Sequence, residues 1–391
     1  MENTPTGPLQ LSDDEVMLRD TVRRFAEEEV LPGELERDRK AEFHAALVGR
    51  LAEMGLLGVP VPEEYGGAGM TTMCYALVVE EIAKVSGSLA LTMAAHTSLG
   101  TMPIIDFGSE EQKREFVPPL ASGKHLGSFA LTEPQAGSDS GATRTTATRD
   151  GDDYLLSGQK AWITNAGHAG SFIATARTSP GDGTEGISAF LVKRGTPGLS
   201  IGEPEKKLGL HSSDSRPVFF DQCRVPARQR LGPEGEGFRY FMRTLDRGRI
   251  IIGAMALGLA EGAFDRSLRY SRERKTFGRE LASHQAVAFM LADMATQIEA
   301  ARHLIYHAAR RKDAGQPIVR DAAMAKLFAS EMAMRVTNDA IQIHGGYGFV
   351  REYHVERMYR DAKLCTIGEG TSEIQRLVIS RSLIGEGSSS R

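Results

Sequence analysis

The period of the apolar residues changes twice along this chain, and that change limits the fold more than any single motif. Up to about Gly123 the apolar positions recur at helical spacing. From about His125 to Gly232 short β-type runs replace them. From Gly237 to about Ile384 the helical spacing returns. A chain of 391 residues is also too long for one ordinary core. The expectation is a mainly α protein with a β centre: a helical domain over residues 1–123, a small barrel or sandwich over 124–232, and a helical domain over 233–391 ending in a frayed tail, Gly385–Arg391.

Local signals place the elements. Ser12-Asp13-Asp14-Glu15 is a capping-box pattern, followed by Leu18, Val22 and Phe25 at helical spacing, with Pro32 and Gly33 as the stop. Met73 to Val85 reads as another helix. Ser109 to Gln112 is a second capping box, before a helix expected to stop near Pro118-Pro119. Asp150-Gly151 marks a hairpin. Ser283 is the expected cap of a long helix carrying Val287, Met290, Leu291, Met294 and Ile298 on one face. Gly315 and Pro317 close it, and Asp321 opens the next, which ends at Gly345-Gly346.

Several function classes drop out. The net charge is −4 and no block of Lys and Arg stands out, which argues against nucleic acid as a partner. The longest apolar stretch, Ile250 to Ala260, is too short to span a bilayer, so no membrane partner is expected. The start of the chain reads as neither a secretory signal nor a transit peptide. The expected location is a bacterial cytoplasm, or the mitochondrial matrix had a leader been removed. Cys74, Cys223 and Cys365 lie far apart and suit a reducing compartment. His303 and His307 share a helix face but lack a third ligand, so no metal is expected. Gly181 to Gly186 matches G-x-G-x-x-G in letters only: a strand, Ile187 to Val192, follows it where a dinucleotide site needs a helix.

Five segments could carry chemistry. Phe129 to Asp139 alternates small residues and hydroxyls, which suits close approach to an anionic ligand but also suits a polar loop. Trp162-Ile163-Thr164-Asn165 holds the only tryptophan, either core or a cover for a flat ring. Arg274 to Gly278, with His284-Gln285 after it, offers a phosphate-binding guanidinium and an amide, or simply a basic helix end. Gln342 to Phe349 carries paired glycines, a helix cap or a place where backbone meets a cofactor. Finally, Glu369 lies between Gly368 and Gly370. Such a carboxylate can enter a pocket, lose water and become a base, or it can be an ordinary loop acid before a helix capped by Thr371 or Ser372.

Taken together, in this order and spacing, the segments resemble the acyl-CoA dehydrogenase family from about Leu11 to Ile384. Thr132, Glu133, Gly137, Ser138 and Asp139 match one of its signatures. Gln342, Gly345, Gly346, Gly348, Glu352, Arg357 and Asp361 match the other. The resemblance implies an N-terminal helical domain, a middle β-barrel and a C-terminal four-helix bundle, usually assembled as a homotetramer, with FAD as cofactor. For the cofactor it implies Phe129, Leu131, Thr132, Gly137, Ser138, Trp162, Ile163 and Thr164 on the flavin side. Arg274, Thr276, Phe277, Leu281, His284, Gln285, Gln342, Ile343, Gly345 and Gly346 would hold the adenine and pyrophosphate half, partly across a subunit interface. Ile367, Thr371 and Glu373 complete the set. For the substrate it implies Ser138, Phe241, Leu245, Asp246, Arg249 and Gly370.

The activity implied is oxidation of an acyl-CoA to the trans-2-enoyl-CoA. Glu369 would take the α-proton, hydride would pass to flavin N5, and electron-transferring flavoprotein would reoxidise the cofactor. Isovaleryl- and long-chain-type members carry the base at a position matching Gly248, which here has no side chain, so the resemblance is to the short-, branched- or medium-chain type. Gly368 departs from the tyrosine of many members and alters one wall of the thioester pocket. Two other readings stay open on sequence: an oxidase or monooxygenase on the same scaffold, and a non-catalytic acyl-CoA-binding protein.

Overall fold

The structure, a computed structural model, describes residues 10–181 and 183–385. Seven helices come first: α1 (Asp13–Phe25), α2 (Glu34–Lys40), α3 (Ala45–Glu53), α4 (Thr72–Ala83), α5 (Gly87–Ala94), α6 (Met102–Phe107) and α7 (Glu110–Ala121). Both capping boxes form. The Ser12 hydroxyl accepts the Glu15 N–H at 3.3 Å while the Glu15 carboxylate accepts the Ser12 N–H at 2.9 Å, and Ser109 and Gln112 repeat the exchange. The expected stop at Pro118-Pro119 is wrong: α7 runs through both prolines to Ala121. Phe116, Val117, Leu120 and Ala121 are all buried, and that burial holds the last turn despite its missing N–H groups.

The middle of the chain forms β1 (Leu126–Ala130), β2 (Thr146–Asp150), β3 (Asp153–Thr164), β4 (Ala169–Arg177), β5 (Ile187–Lys193), β6 (Leu199–Ile201), β7 (Ser215–Pro226) and β8 (Arg230–Leu231). They make one sheet in the order β6-β7-β3-β2-β4-β5-β8, with β1 alongside β4 in parallel. The expected closed barrel is not found. The sheet wraps a core of Tyr154, Leu156, Phe172, Phe190, Val218 and Val225 but stays open. Its end strands, β6 and β8, span three and two residues and each pairs with one neighbour only, so no ladder closes the ring. The β2–β3 hairpin turns at Asp150-Gly151, as expected. Gly181 and Gly183–Gly186 sit in the loop between antiparallel β4 and β5, and Asp182 lies outside the described residues.

The C-terminal part is helical: α8 (Gly237–Glu273), a small hairpin of β9 (Lys275–Thr276) and β10 (Arg279–Glu280), then α9 (Gln285–Asp313), α10 (Val319–His344), α11 (Val355–Cys365) and α12 (Ser372–Ile384). Ser283 does not cap α9. Its hydroxyl donates to Glu280 O at 2.6 Å, and the helix starts at Gln285 without a side-chain cap. The apolar stretch Ile250–Ala260 is the buried middle of α8, and no helix among the described residues is long and apolar enough to cross a membrane. The expected tail lies outside the described residues from position 386 on.

Two cores decide where a site can form. The larger joins α1, α4 and α5 to α8, α9 and α10 without a break, for example through Leu77, Ile82, Met255, Leu259, Ile305 and Met332. The second joins the three parts of the chain. Leu99, Met102 and Phe116 from the first helices meet Ile173 and Leu191 from the sheet, Leu131 just after β1, and Phe241 and Leu245 from α8. Two stretches of backbone come close where the π-helical turn Ala95–Thr101 meets β1. A Cβ on Gly100 would lie 2.6 Å from the Gly127 carbonyl carbon, so both positions need glycine for space.

Candidate active site

Glu369 sits in the turn between α11 and α12 in a left-handed conformation, φ 55°, and Gly370 follows with φ 95°. Two left-handed residues in a row reverse the chain sharply, at a cost that a non-glycine residue bears only when its surroundings hold it. The hold is visible. Lys326 Nζ, from α10, donates to Gly370 O at 2.6 Å. Gln375 Nε2, one turn into α12, donates to Gly370 O at 2.9 Å and to Glu369 O at 3.2 Å. Thr371 caps α12 by accepting the Ile374 N–H at 3.3 Å.

The turn drives the Glu369 carboxyl onto the backbone of α8 at Gly248. A Cβ on Gly248 would collide with Glu369 Oε2 and lie 2.9 Å from the carboxyl carbon. Oε2 is sealed from solvent and has no hydrogen-bond partner. Burial therefore pushes the acid up to about 7, against the opposing pull of the Lys326 and Arg249 charges. Burial also lowers Lys326 to about 8 and lowers Arg249 from its ordinary value. Arg249 is held by Asp246, Nη1 to Oδ1 2.5 Å, and its Nε is buried without a partner. Burial raises Asp246 above the usual carboxylate value.

Next to this group stand the residues expected to face the acyl chain and the ring. Phe241 and Leu245, two turns and one turn before Gly248 on α8, are buried with Leu131, and Phe129 stacks on Phe241 at 4.0 Å. The segment after β1 is fixed to β3: Ala161 N–H donates to Thr132 O at 2.8 Å, and Ser128 Oγ donates to Thr164 O at 2.8 Å. Ile163 is buried. Trp162, φ 56°, turns outward and is 60% exposed, so the core alternative for this tryptophan is excluded. Gly137 and Ser138 lie on the exposed part of the same loop. Behind it is a buried ion pair. Lys160 Nζ lies 2.7 Å from Glu133 Oε1 and also donates to Leu131 O and Thr175 Oγ1. Glu133 in turn accepts the N–H groups of Arg144 and Thr145. Burial opposes ionisation of both, but Lys160 and these donors take Glu133 down to about 2, while Lys160 is lowered to about 8.

A third group lies at the far end of α8. Arg274 follows that helix, with its guanidinium over Tyr347 at 5.7 Å. Thr276 Oγ1 and His284 Nε2 are 3.0 Å apart, Leu281 N–H donates to Arg274 O, and Gln285 is exposed at the start of α9. Phe277 forms the tip of the hairpin at φ 52° and is 98% exposed. Tyr270 stacks on His344 at 4.4 Å, which sets Gln342, buried Ile343 and the exposed Gly345-Gly346 beside this hairpin. Ile367, Thr371 and Glu373 line a separate cleft of about 390 Å³ with Arg335 and Lys363. The structure thus gathers Glu369, Gly370, Arg249 and Asp246 in one place, and Phe129, Leu131, Phe241 and Leu245 beside them. The Arg274 to Gln285 group stands apart with Gln342 to Gly346. His303 is exposed beside Glu299, and no cluster of metal-ligating side chains occurs among the described residues. The sequence reading missed Lys326, Gln375 and Lys160. For Lys326 a signal existed: it stands among Ala322, Ala325 and Ala329 on the buried face of α10.

Three family models together span most of the chain: acyl-CoA dehydrogenase N-terminal domain over residues 12–124, middle domain over 128–223 and C-terminal domain over 235–384. An acyl-CoA dehydrogenase of Bacillus subtilis is 48% identical over 96% of this chain and 100% of its own length. The short-chain-specific acyl-CoA dehydrogenase of Clostridium acetobutylicum is 48% identical over 95% of this chain and 98% of its own. Among solved structures, butyryl-CoA dehydrogenase from Megasphaera elsdenii superposes with a TM-score of 0.94 at 44% identity, covering 96% of this chain and 99% of that one. With matches of this extent on all three parts, the chain belongs to the acyl-CoA dehydrogenase family.

Proposed function

We propose that Glu369 is the base of an FAD-dependent acyl-CoA dehydrogenase that acts on short acyl thioesters and passes its electrons to electron-transferring flavoprotein. The observation that carries the reading is the sealed, unpartnered Oε2 of Glu369 on Gly248, with burial bringing the acid to about 7. A carboxyl titrating there is ionised enough to accept a proton near neutral pH and basic enough to hold it. Lys326 and Arg249 keep the ionised form accessible, and burial favours the acid once the α-proton has arrived. Oε2 is shielded from water and makes no hydrogen bond in the fold, so nothing competes there for the incoming proton.

The residues present fit FAD. Gly137, Gly345 and Gly346 have open space where a Cβ would stand, which lets backbone approach a large ligand. Trp162 offers an exposed aromatic face next to the fixed Thr132 and Thr164 segments. Arg274 and Gln285 offer charge and amide for a pyrophosphate and an adenine. When bound, FAD supplies the two-electron acceptor that takes the substrate's β-hydrogen as hydride. The short acyl preference draws its support from the names of the relatives. Gly368 leaves this side of the turn open, since a side chain would fit there, 3.5 Å from Leu364 O. A bacterial cytoplasm and a homotetramer belong to the same reading, supported by the bacterial relatives and by the exposed Phe277 and Phe349. Anaerobic butyryl-CoA should bleach the flavin, and Glu369→Gln should abolish bleaching while FAD stays bound. A wild type that stays yellow with straight and branched acyl-CoAs would refute the assignment.

A further inference from the structure

We propose that Lys326 is a positioning residue for proton transfer: its ammonium grips the carbonyl of Gly370 and so holds the left-handed turn that carries the Glu369 carboxyl onto Gly248. The inference rests on Glu369 being the base. Lys326 is 0% exposed, about two turns into α10, among buried Ala322, Ala323, Ala325, Ala329 and Ser330. Burying an ammonium is costly, and such a group is ordinarily paired with a carboxylate. Lys326 forms no ion pair within 4.0 Å among the described residues; its hydrogen bond goes to a main-chain oxygen one residue past Glu369, at 2.6 Å.

That bond has a geometric effect. Gln375 Nε2 fixes the Glu369 and Gly370 carbonyls from the α12 side, and Lys326 fixes the second from the α10 side. With the peptide planes on both sides of Gly370 held, the left-handed backbone at 369 and 370 cannot relax, and the Cα–Cβ direction of Glu369 is set. A charge-assisted bond does this more firmly than a neutral one. Lys326 also acts on the base through space. The charged and titratable groups facing this point are Arg249 with Asp246 from α8, Tyr75 from α4, Cys365 from α11 and Glu373 from α12. Lys326 is the largest opposing influence on Glu369 after burial itself.

The test uses two variants of the holoenzyme: Lys326→Met, which removes donor and charge, and Lys326→Gln, which keeps a donor. Two quantities are read. The first is the rate of anaerobic bleaching by butyryl-CoA, with the concentration giving half-maximal rate. The second is the pH midpoint of the Glu369 carboxyl band in the infrared, without substrate and with Glu369→Gln as the blank. Lys326→Met should bleach roughly 10- to 100-fold more slowly, with little change in the half-maximal concentration. Its infrared midpoint should move to higher pH. Lys326→Gln should recover part of the rate but not the midpoint. A wild-type rate and an unmoved midpoint in Lys326→Met would overturn the proposal. So would loss of rate in both variants with an unmoved midpoint, which marks the lysine as packing only. If Lys326→Met fails to accumulate, Lys326→Gln decides alone, and an unmoved midpoint in it overturns the idea. Failure of the wild type to bleach would instead count against Glu369 as the base.

Discussion

Gly248 and the Glu369 carboxyl compete for one volume, and this governs what single substitutions do. Gly248→Ala places a methyl against Oε2 and should turn the carboxyl away. Bleaching by butyryl-CoA should slow about 100-fold, with circular dichroism and FAD content close to wild type. Glu369 also ties stability to pH. Its folded value of about 7 lies above the ordinary 4.5, so the folded protein binds this proton more tightly than the unfolded chain. The stability gained by holding the proton is fully present below 4.5 and is lost as pH rises through 7. Glu369→Gln should therefore match the wild type near pH 4.5 and exceed it above pH 7 by up to about 3 kcal/mol, as read from denaturant unfolding at several pH values. Glu369 itself was legible in the sequence because glycines flank it and two signatures precede it. Its supports were not. Lys326 stands 44 residues before its partner carbonyl, and a main-chain acceptor leaves no trace in side-chain spacing.

At the scale of elements, spacing and capping residues located most helices and strands but not how they end or close. The Ser12 and Ser109 boxes work because each needs only four consecutive residues. Ser283 does not cap because α9 starts at Gln285, which makes His284 the cap residue and leaves Ser283 one position outside, where its hydroxyl donates to Glu280 O. Closure of the sheet depends on whether β6 and β8 find each other, and strands of three and two residues carry too little pattern to tell. The Lys160–Glu133 pair shows how one buried contact orders an element. It ties the loop after β1 to β3 and β4, and Glu133 carries on to the N–H groups leading into β2. Lys160→Met leaves that carboxylate buried without its cation. It should cost about 3–5 kcal/mol in thermal or denaturant unfolding and weaken FAD binding, as followed by flavin fluorescence.

At the scale of the whole molecule, the apolar side chains left outside are as telling as those within. Phe277 is 98% exposed and Phe349 is 86% exposed, both in the group beside Arg274 and Gln342. Phe277→Asp should shift sedimentation toward smaller species and release FAD, if this face is covered by another copy of the chain; unchanged sedimentation would count against that cover. The larger core has a consequence of another kind. Every residue of α4 except Cys74 is buried, and much of its cover comes from α8. A ribosome makes the 83rd residue long before the 263rd. At about 5–20 residues per second, α4 is without that cover for roughly 10–40 s. The first third of the chain thus leaves the ribosome before its core can be complete, and its apolar helix has to be shielded until its partner emerges.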